Sequence, residues 1–435
     1  MSFELTPETV QLITSLAVIF MLVHMILGGC AYLILLERKL SSWMQDRIGP
    51  NRVGPKGLLQ PIADGLKFML KEDYNPEGID RALFFLAPAV ITATAMLGFV
   101  VIPFAGTLDL STLPFGLATT LGLDGMTVQI VGAKVNIGLI YLIAVASLGV
   151  YGVVLGGWAS NSKFSFLGGL RASAQMISYE IPMGLALLAV ILLAGTLDPG
   201  RMIQGQLDGT WYILQQPLAA LLFYICMLAE SNRAPFDMAE AESELIGGYH
   251  TEYSSMKFAL FFLAEYFHMI TGAAFFTLLF LGGWSINPLP WGGDLPVQGG
   301  LLMVLLQFAV FAGKVVFLVA FAMVLRWTLP RFRFDQLMKL AWEGMIPTAL
   351  LVVLVTSVFV FLGWTPWMWA GSIGCIILVY ILQPLMPKQE DPNRRIPMIG
   401  SRFNPVDDGL EVPRHPVALS DAAIPDPSQG PVSMH

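Results

Sequence analysis

Residues 12–36 read LITSLAVIFMLVHMILGGCAYLILL, an apolar run without a single Asp, Glu, Lys or Arg. About 20 such residues, wound as a helix, cross the hydrocarbon of a bilayer with every backbone N–H and C=O bonded inside the segment. The run is longer than the apolar core of a cleaved signal, and the preceding MSFELTPETV is acidic rather than basic, so it reads as a retained span. Comparable runs at roughly 82–104, 134–158, 174–195, 213–230, 257–284, 299–326, 339–363 and 367–386 bring the expected total to nine. Composition agrees: 55% of residues are hydrophobic, 13% are charged and the mean hydropathy is +0.68. A soluble chain carries about 25% charged residues. The expected fold is therefore all-α, a polytopic integral membrane protein.

Nine spans put the termini on opposite sides, and Lys and Arg decide which side is which. The first loop holds Arg38, Lys39, Arg47, Arg52, Lys56, Lys67, Lys71 and Arg81. With the later loops and the tail on the same side, it accounts for 21 of the 24 basic residues. Only Arg201 and Lys134 fall on the other side, and Lys314 lies within a span. This bias predicts a plasma-membrane protein with a periplasmic N-terminus and a cytoplasmic C-terminus, or the equivalent arrangement in an organelle. Residues 1–387 read as the transmembrane domain. Residues 388–435, rich in Pro, Asp, Ser and Arg without apolar periodicity, read as an irregular cytoplasmic tail. Gly152 and Gly156 form a small-xxx-small pattern suited to close helix packing.

Two connecting segments are unlike ordinary loops. In residues 37–73, Gly49-Pro50-Asn51 and Gly54-Pro55 impose a shaped turn, after which Leu59, Ile62, Leu66 and Met69 line one face of a helix. Gln60, Asp64, Lys67 and Lys71 line the other, the pattern of a helix lying in the membrane interface. It is either a passive anchor or a doorway from lipid into a protein cavity. After the fifth span, ESNRAPFDMAEAESELIGGYHTEY concentrates Glu230, Asp237, Glu240, Glu242, Glu244 and Glu252 on the positively biased side. On a helix Asp237, Glu240 and Glu244 share a face. Crowded carboxylates beside a low-dielectric medium raise one another's pKa and share protons. The readings are proton handling, a partner surface or a solvated acidic loop.

Ionisable residues inside spans are the sharper signal, because each costs about 2.5–3.5 kcal/mol on insertion scales at the membrane centre. Lys314 lies 12 residues before Arg326, about 18 Å along a helix and hence near mid-membrane. A structural pair with a carboxylate is its plainer alternative. Glu265 and His268 share a face of the sixth span, Glu180 sits near the start of the fourth, and Glu37 closes the first. For His24 and His268 a satisfied buried imidazole is the plainer reading.

Cys30, Cys226 and Cys375 lie far apart in apolar runs and read as small buried hydrophobes, with no metal site expected. An iron–sulfur cluster needs about four thiolates in a close set, so this chain alone cannot hold one. No phosphate-binding loop or dinucleotide glycine fingerprint is present, and the basic residues are accounted for by topology, so neither nucleotide nor nucleic-acid binding is expected.

Four segments carry a family resemblance. ERKLSSWMQDRIGPNRVGPKGLLQPIADGLKF (37–68), SYEIPMGL (178–185), ESNRAPFDMAEAESELIGGYHTEYSSMKFALFFLAEY (230–266) and RWTLPRFRFDQLMKLAWEGMIP (326–347) are similar, in this order, to the loops and adjoining helices of one family. It is the membrane-heel, quinone-module subunit of proton-pumping NADH:quinone oxidoreductase, respiratory complex I. The likeness spans roughly residues 10–365. The ninth span and tail extend beyond the shortest members of the family.

The resemblance implies a membrane subunit that holds the peripheral arm and encloses a quinone chamber open to lipid. It implies that the chain acts within an enzyme without being catalytic alone. Arg47, Ala63, Asp64, Lys67 and Phe236 would lie on or near the chamber. Glu37, Glu180, Glu230, Asp237, Glu240, Glu242, Glu244, Glu252 and Glu265 would match carboxylates of a path into the membrane arm, and Lys314 an intramembrane lysine. Quinone, ubiquinone or menaquinone, would be the substrate, with FMN and iron–sulfur clusters on partner subunits. The implied partners are the quinone-site and terminal-cluster subunits of the peripheral arm, the small and antiporter-like membrane subunits, and lipids. Two alternatives stand beside this: the equivalent subunit of a membrane-bound hydrogenase-type complex, and an autonomous ion transporter. The extended GPNRVGPKGLLQPIADGLKF loop favours the quinone enzyme over the first. The lack of broken helices in repeated halves weighs against the second.

Overall fold

A computed structural model of the chain describes residues 6–112, 123, 125–238, 246–289 and 293–382. Glu240, Glu242, Glu244 and the tail 388–435 lie outside the described residues. By internal packing the chain divides into Met1–Ile377 and Leu378–His435. The described part of the second unit is the end of the last helix.

Helix α1 (Pro7–Met44) starts at Thr6, whose Oγ1 accepts from the Thr9 amide, and Pro7 occupies the first turn, where its missing N–H costs nothing. Its 38 residues span about 57 Å, well beyond a hydrocarbon layer of about 30 Å. The surface helix α2 (Gln60–Leu70) follows, then α3 (Arg81–Leu97), capped by Asp80. A small sheet forms on the opposite face from strands β1 (Thr107–Asp109), β2 (Thr127–Gln129) and β3 (Gln298–Gly299). In it β1 pairs antiparallel with β2 and parallel with β3. Helices α4 (Gly138–Ala159) and α5 (Lys163–Ala194) continue the bundle.

The next crossing is broken. Short helices α6 (Pro199–Leu207) and α7 (Tyr212–Gln215) precede α8 (Pro217–Glu230), which has only 14 residues. At the break, the buried Gln216 side chain donates to the Ala189 carbonyl and the Thr356 hydroxyl. Helices α9 (Ser255–Phe280), α10 (Leu301–Thr328), α11 (Phe334–Phe361, with a π-helical turn at Leu340–Met345) and α12 (Met368–Leu382) complete the order.

Among the described residues, seven helices are long and apolar enough to cross a membrane, and two shorter apolar helices correspond to the fifth and ninth expected spans. Helix α5, the fourth expected span, begins at Lys163, eleven residues before its expected start, so Glu180 lies mid-helix rather than near the start. The core runs through α5, α8 and α9, where Phe223, Phe267 and Phe280 are fully buried. Gly152 of α4 sits against Ile91 of α3, so the small-residue pattern does bring two backbones together.

The surface helix behaves as its pattern predicts. Ile62, Leu66 and Met69 are each more than half exposed, and no residue of α2 is buried. An apolar face left outward on a helix of this kind is one that faces lipid.

Candidate functional site

The turn preceding α2 is built on left-handed backbone at Gly54 and Gly57, with φ of 71° and 85°. A Cβ on Gly57 would fall 2.2 Å from the Pro50 carbonyl oxygen, so only glycine fits. This turn sets α2 beside α1 and α9. Between the three helices lies an apolar cleft of about 430 Å³, lined by Ile34, Arg38, Asp64, Phe68, Phe258 and Phe262 among others. At its rim Arg38 Nη1 donates to Asp64 Oδ2 at 2.7 Å, and Gln60 Nε2 donates to Oδ1 at 3.1 Å.

Behind the cleft is a buried charge cluster. Glu37, next to Arg38 but turned inward, accepts from Arg326 Nη1 at 2.6 Å and from the Tyr266 hydroxyl. Arg233 Nη1 stands 3.8 Å from Glu37, while its Nη2 stands 3.2 Å from Glu265. The Tyr249 hydroxyl donates to the other Glu265 oxygen at 3.3 Å. Arg233 also lies over the rings of Tyr266 (4.3 Å) and Phe262 (5.3 Å). Phe262 is thus at once a wall of the cleft and a neighbour of the cluster. Burying charges is tolerable only when they are paired and hydrogen-bonded, as these are.

The segment after α8 is pinned in place. Gln175 Nε2 donates to the carbonyls of Ala229 and Phe236 at 2.7 and 2.6 Å, and Phe332 N donates to the Pro235 carbonyl. Arg331 Nη2 donates to Asp237 at 2.8 Å. On the far side of Ser231, Glu230 and His268 line a small cavity of about 30 Å³ with Met227 and Thr271. That is room for an ordered water, which needs about 10–15 Å³ of such volume. His268 Nε2 has no protein partner among the described residues. Nearby, the Ser147 hydroxyl donates to Glu180, and Glu180 lies within electrostatic reach of Glu230.

The fold therefore brings together Glu37 and Glu265 in one cluster, and Glu230 and Glu180 in a second region, with Asp64 at the cleft rim. Other expected residues stand apart. Ala63 and Lys67 are not in the cleft lining, and exposed Lys67 rests 4.8 Å from the Phe68 ring centre. Arg47 is exposed in the turn, Glu252 is half-buried, and Phe236 is buried between Tyr179 and Phe332. Lys314 hydrogen-bonds to backbone rather than to the carboxylate of its plainer alternative. Its Nζ donates to the carbonyls of Leu281, Gly283 and Ser285 at 2.5–3.0 Å, capping the negative end of α9, and lies 4.1 Å from the Trp211 ring centre. Sequence reasoning missed Arg38, Arg233, Arg326, Tyr249 and Tyr266 as site residues. The one available signal was that Arg233 follows the fifth apolar run within the carboxylate-rich segment.

The NADH dehydrogenase family pattern matches residues 16–357. Relatives that carry the name of the H-type component of NADH-quinone oxidoreductase align along most of their length. The chain is 46% identical over 326 residues to the first such protein of Cytophaga hutchinsonii, covering 75% of this chain and 90% of that one. It is 45% identical over 352 residues to the one of Leptospira biflexa, covering 80% and 96%. It is also 45% identical over 351 residues to the first one of Geobacter sulfurreducens, covering 81% and 95%.

Proposed function

This chain belongs to the family of H-type membrane subunits of NADH-quinone oxidoreductase, and from that premise we propose that its cleft admits a quinone from the bilayer and that its buried charge cluster links quinone reduction to proton movement. The observation that carries the reading is Phe262, shared between the apolar cleft and the Glu37–Arg326–Arg233–Glu265 cluster. An apolar cleft with a single charged rim suits an isoprenoid quinone, and the outward apolar face of α2 supports a mouth at the lipid surface.

Electrons reach the quinone from iron–sulfur clusters on partner subunits, which the chain's basic face docks. Two-electron reduction takes up two protons, so negative charge grows in or near the cleft before they arrive. In a low-dielectric surround that charge acts strongly over a few ångströms. It draws Arg233 away from Glu37 and Glu265, raises the proton affinity of both carboxylates, and passes the change to Glu230 and His268, which line the small cavity, and on to Glu180. Asp237 and the acidic segment at 239–245 serve the same relay, which delivers it to the antiporter-like subunits. Orientation follows the basic residues, with the N-terminus periplasmic in the plasma membrane.

A photoreactive quinone analogue added to the intact complex tests the reading. Labelling of residues 37–71 and 255–263, displaced by excess quinone, is expected. Labelling confined to other subunits overturns it.

A further inference from the structure

The two basic residues that lie on the face poor in Lys and Arg, Lys134 and Arg201, meet at one cavity. It has a volume of about 320 Å³ and lies between the loop before α4, the first turn of α6 and the segment after α9. Asp198 caps α6 through the Gly200 amide at 2.9 Å and stands 3.8 Å from Arg201 Nε, while Lys134 has no carboxylate partner among the described residues. The site therefore keeps one uncompensated positive charge beside the positive end of a helix.

The wall adds a second, independent feature. Trp284 lines the same cavity and is 3% exposed, and its indole N–H finds no acceptor among the described residues. A buried donor left unpaired is unfavourable, and a small shift of the indole toward the cavity would let a ligand oxygen accept from it. From the rim, exposed Ile137, Ile140, Leu148 and Tyr151 form a stripe along α4, running about 21 Å toward the opposite face. A headgroup seated in the cavity would lay its acyl chains on that stripe.

We propose that this cavity binds the headgroup phosphate of an anionic phospholipid of the adjoining leaflet, with Lys134 and Arg201 supplying charge and Trp284 a buried donor. Asp198 opposes the anion, which limits affinity and selects against more highly charged groups.

The test uses the intact complex in phosphatidylcholine vesicles containing phosphatidylglycerol with a photoreactive acyl chain. Crosslinks to residues 137–151 are expected, about fivefold weaker in Lys134→Ala or Arg201→Ala and roughly thirtyfold weaker in the double variant, as loss of one or two interfacial cations predicts. Lys134→Arg/Arg201→Lys should retain them. Inorganic phosphate at millimolar concentration should leave the crosslink in place. Displacement by phosphate would identify a free-anion site instead and overturn the lipid assignment. Equal labelling by a phosphatidylcholine probe, or undiminished labelling in the double variant, overturns it too. Should the double variant fail to assemble, loss of the wild-type crosslink at high salt supports the proposal, and salt-independent labelling overturns it.

Discussion

Arg233 is 4% exposed and stands between two buried carboxylates, which makes it the side chain on which the charge cluster depends. Removing one partner of a buried ionic set costs about 3–5 kcal/mol, because the charges left behind are uncompensated. Arg233→Gln should lower the melting temperature of the purified complex and abolish quinone-linked NADH oxidation. Adding Glu265→Gln should restore part of the stability but not the activity, and strict additivity in that double-mutant cycle would show that the two side chains are not coupled. Lys314→Met removes the charged donor from three carbonyls at the end of α9, with an expected loss of about 1–3 kcal/mol that a thermal-aggregation assay of the complex would measure. Lys314→Arg should lose less. At this scale the sequence identifies which carboxylates stand out, since a charge in an apolar run is costly wherever it points. It does not identify their partners. Topology alone accounts for Arg233 and Arg326, and Tyr249 and Tyr266 are ordinary in aromatic-rich runs.

Elements are legible where one apolar run makes one helix. The first eleven residues of α5, KFSFLGGLRAS, are too polar for such a run, yet the helix extends through them because Gly168 packs against Gly248 and Ser165 is buried. The fifth run hides a break. Pro217 has no N–H to continue a helix from α7, so α8 starts afresh there, with Gln216 bonding across the gap. Two glycines give tests of element placement. A Cβ on Gly152 would lie 2.9 Å from the Ile91 amide nitrogen, so Gly152→Leu should separate α3 from α4 and prevent stable assembly, measured as loss of the intact complex on native gels. Gly57→Ala should disorder the turn that seats α2, with greater protease sensitivity between residues 45 and 60 and weaker quinone-analogue labelling. Unchanged proteolysis would separate the turn from the cleft.

For the molecule as a whole, nine apolar runs and a lopsided distribution of Lys and Arg are readable from composition and spacing. The small sheet is not, because strands of two or three residues carry no periodic signal. The arrangement predicts that cysteines placed at Lys67 and Asp208, with the three native buried cysteines replaced, react with an impermeant maleimide from opposite sides of sealed vesicles. Labelling from the same side would refute the assigned orientation.

Helix α2 has a protein wall on one side only. Its inner face shapes the cleft, while Ile62, Leu66 and Leu70 press outward with no residue of the helix buried. On the proposed reading lipid is a structural component of this opening, and lateral pressure among the headgroups would help set its width. A micelle supplies apolar contact without that pressure, so the proposed doorway should differ in width between detergent and membrane.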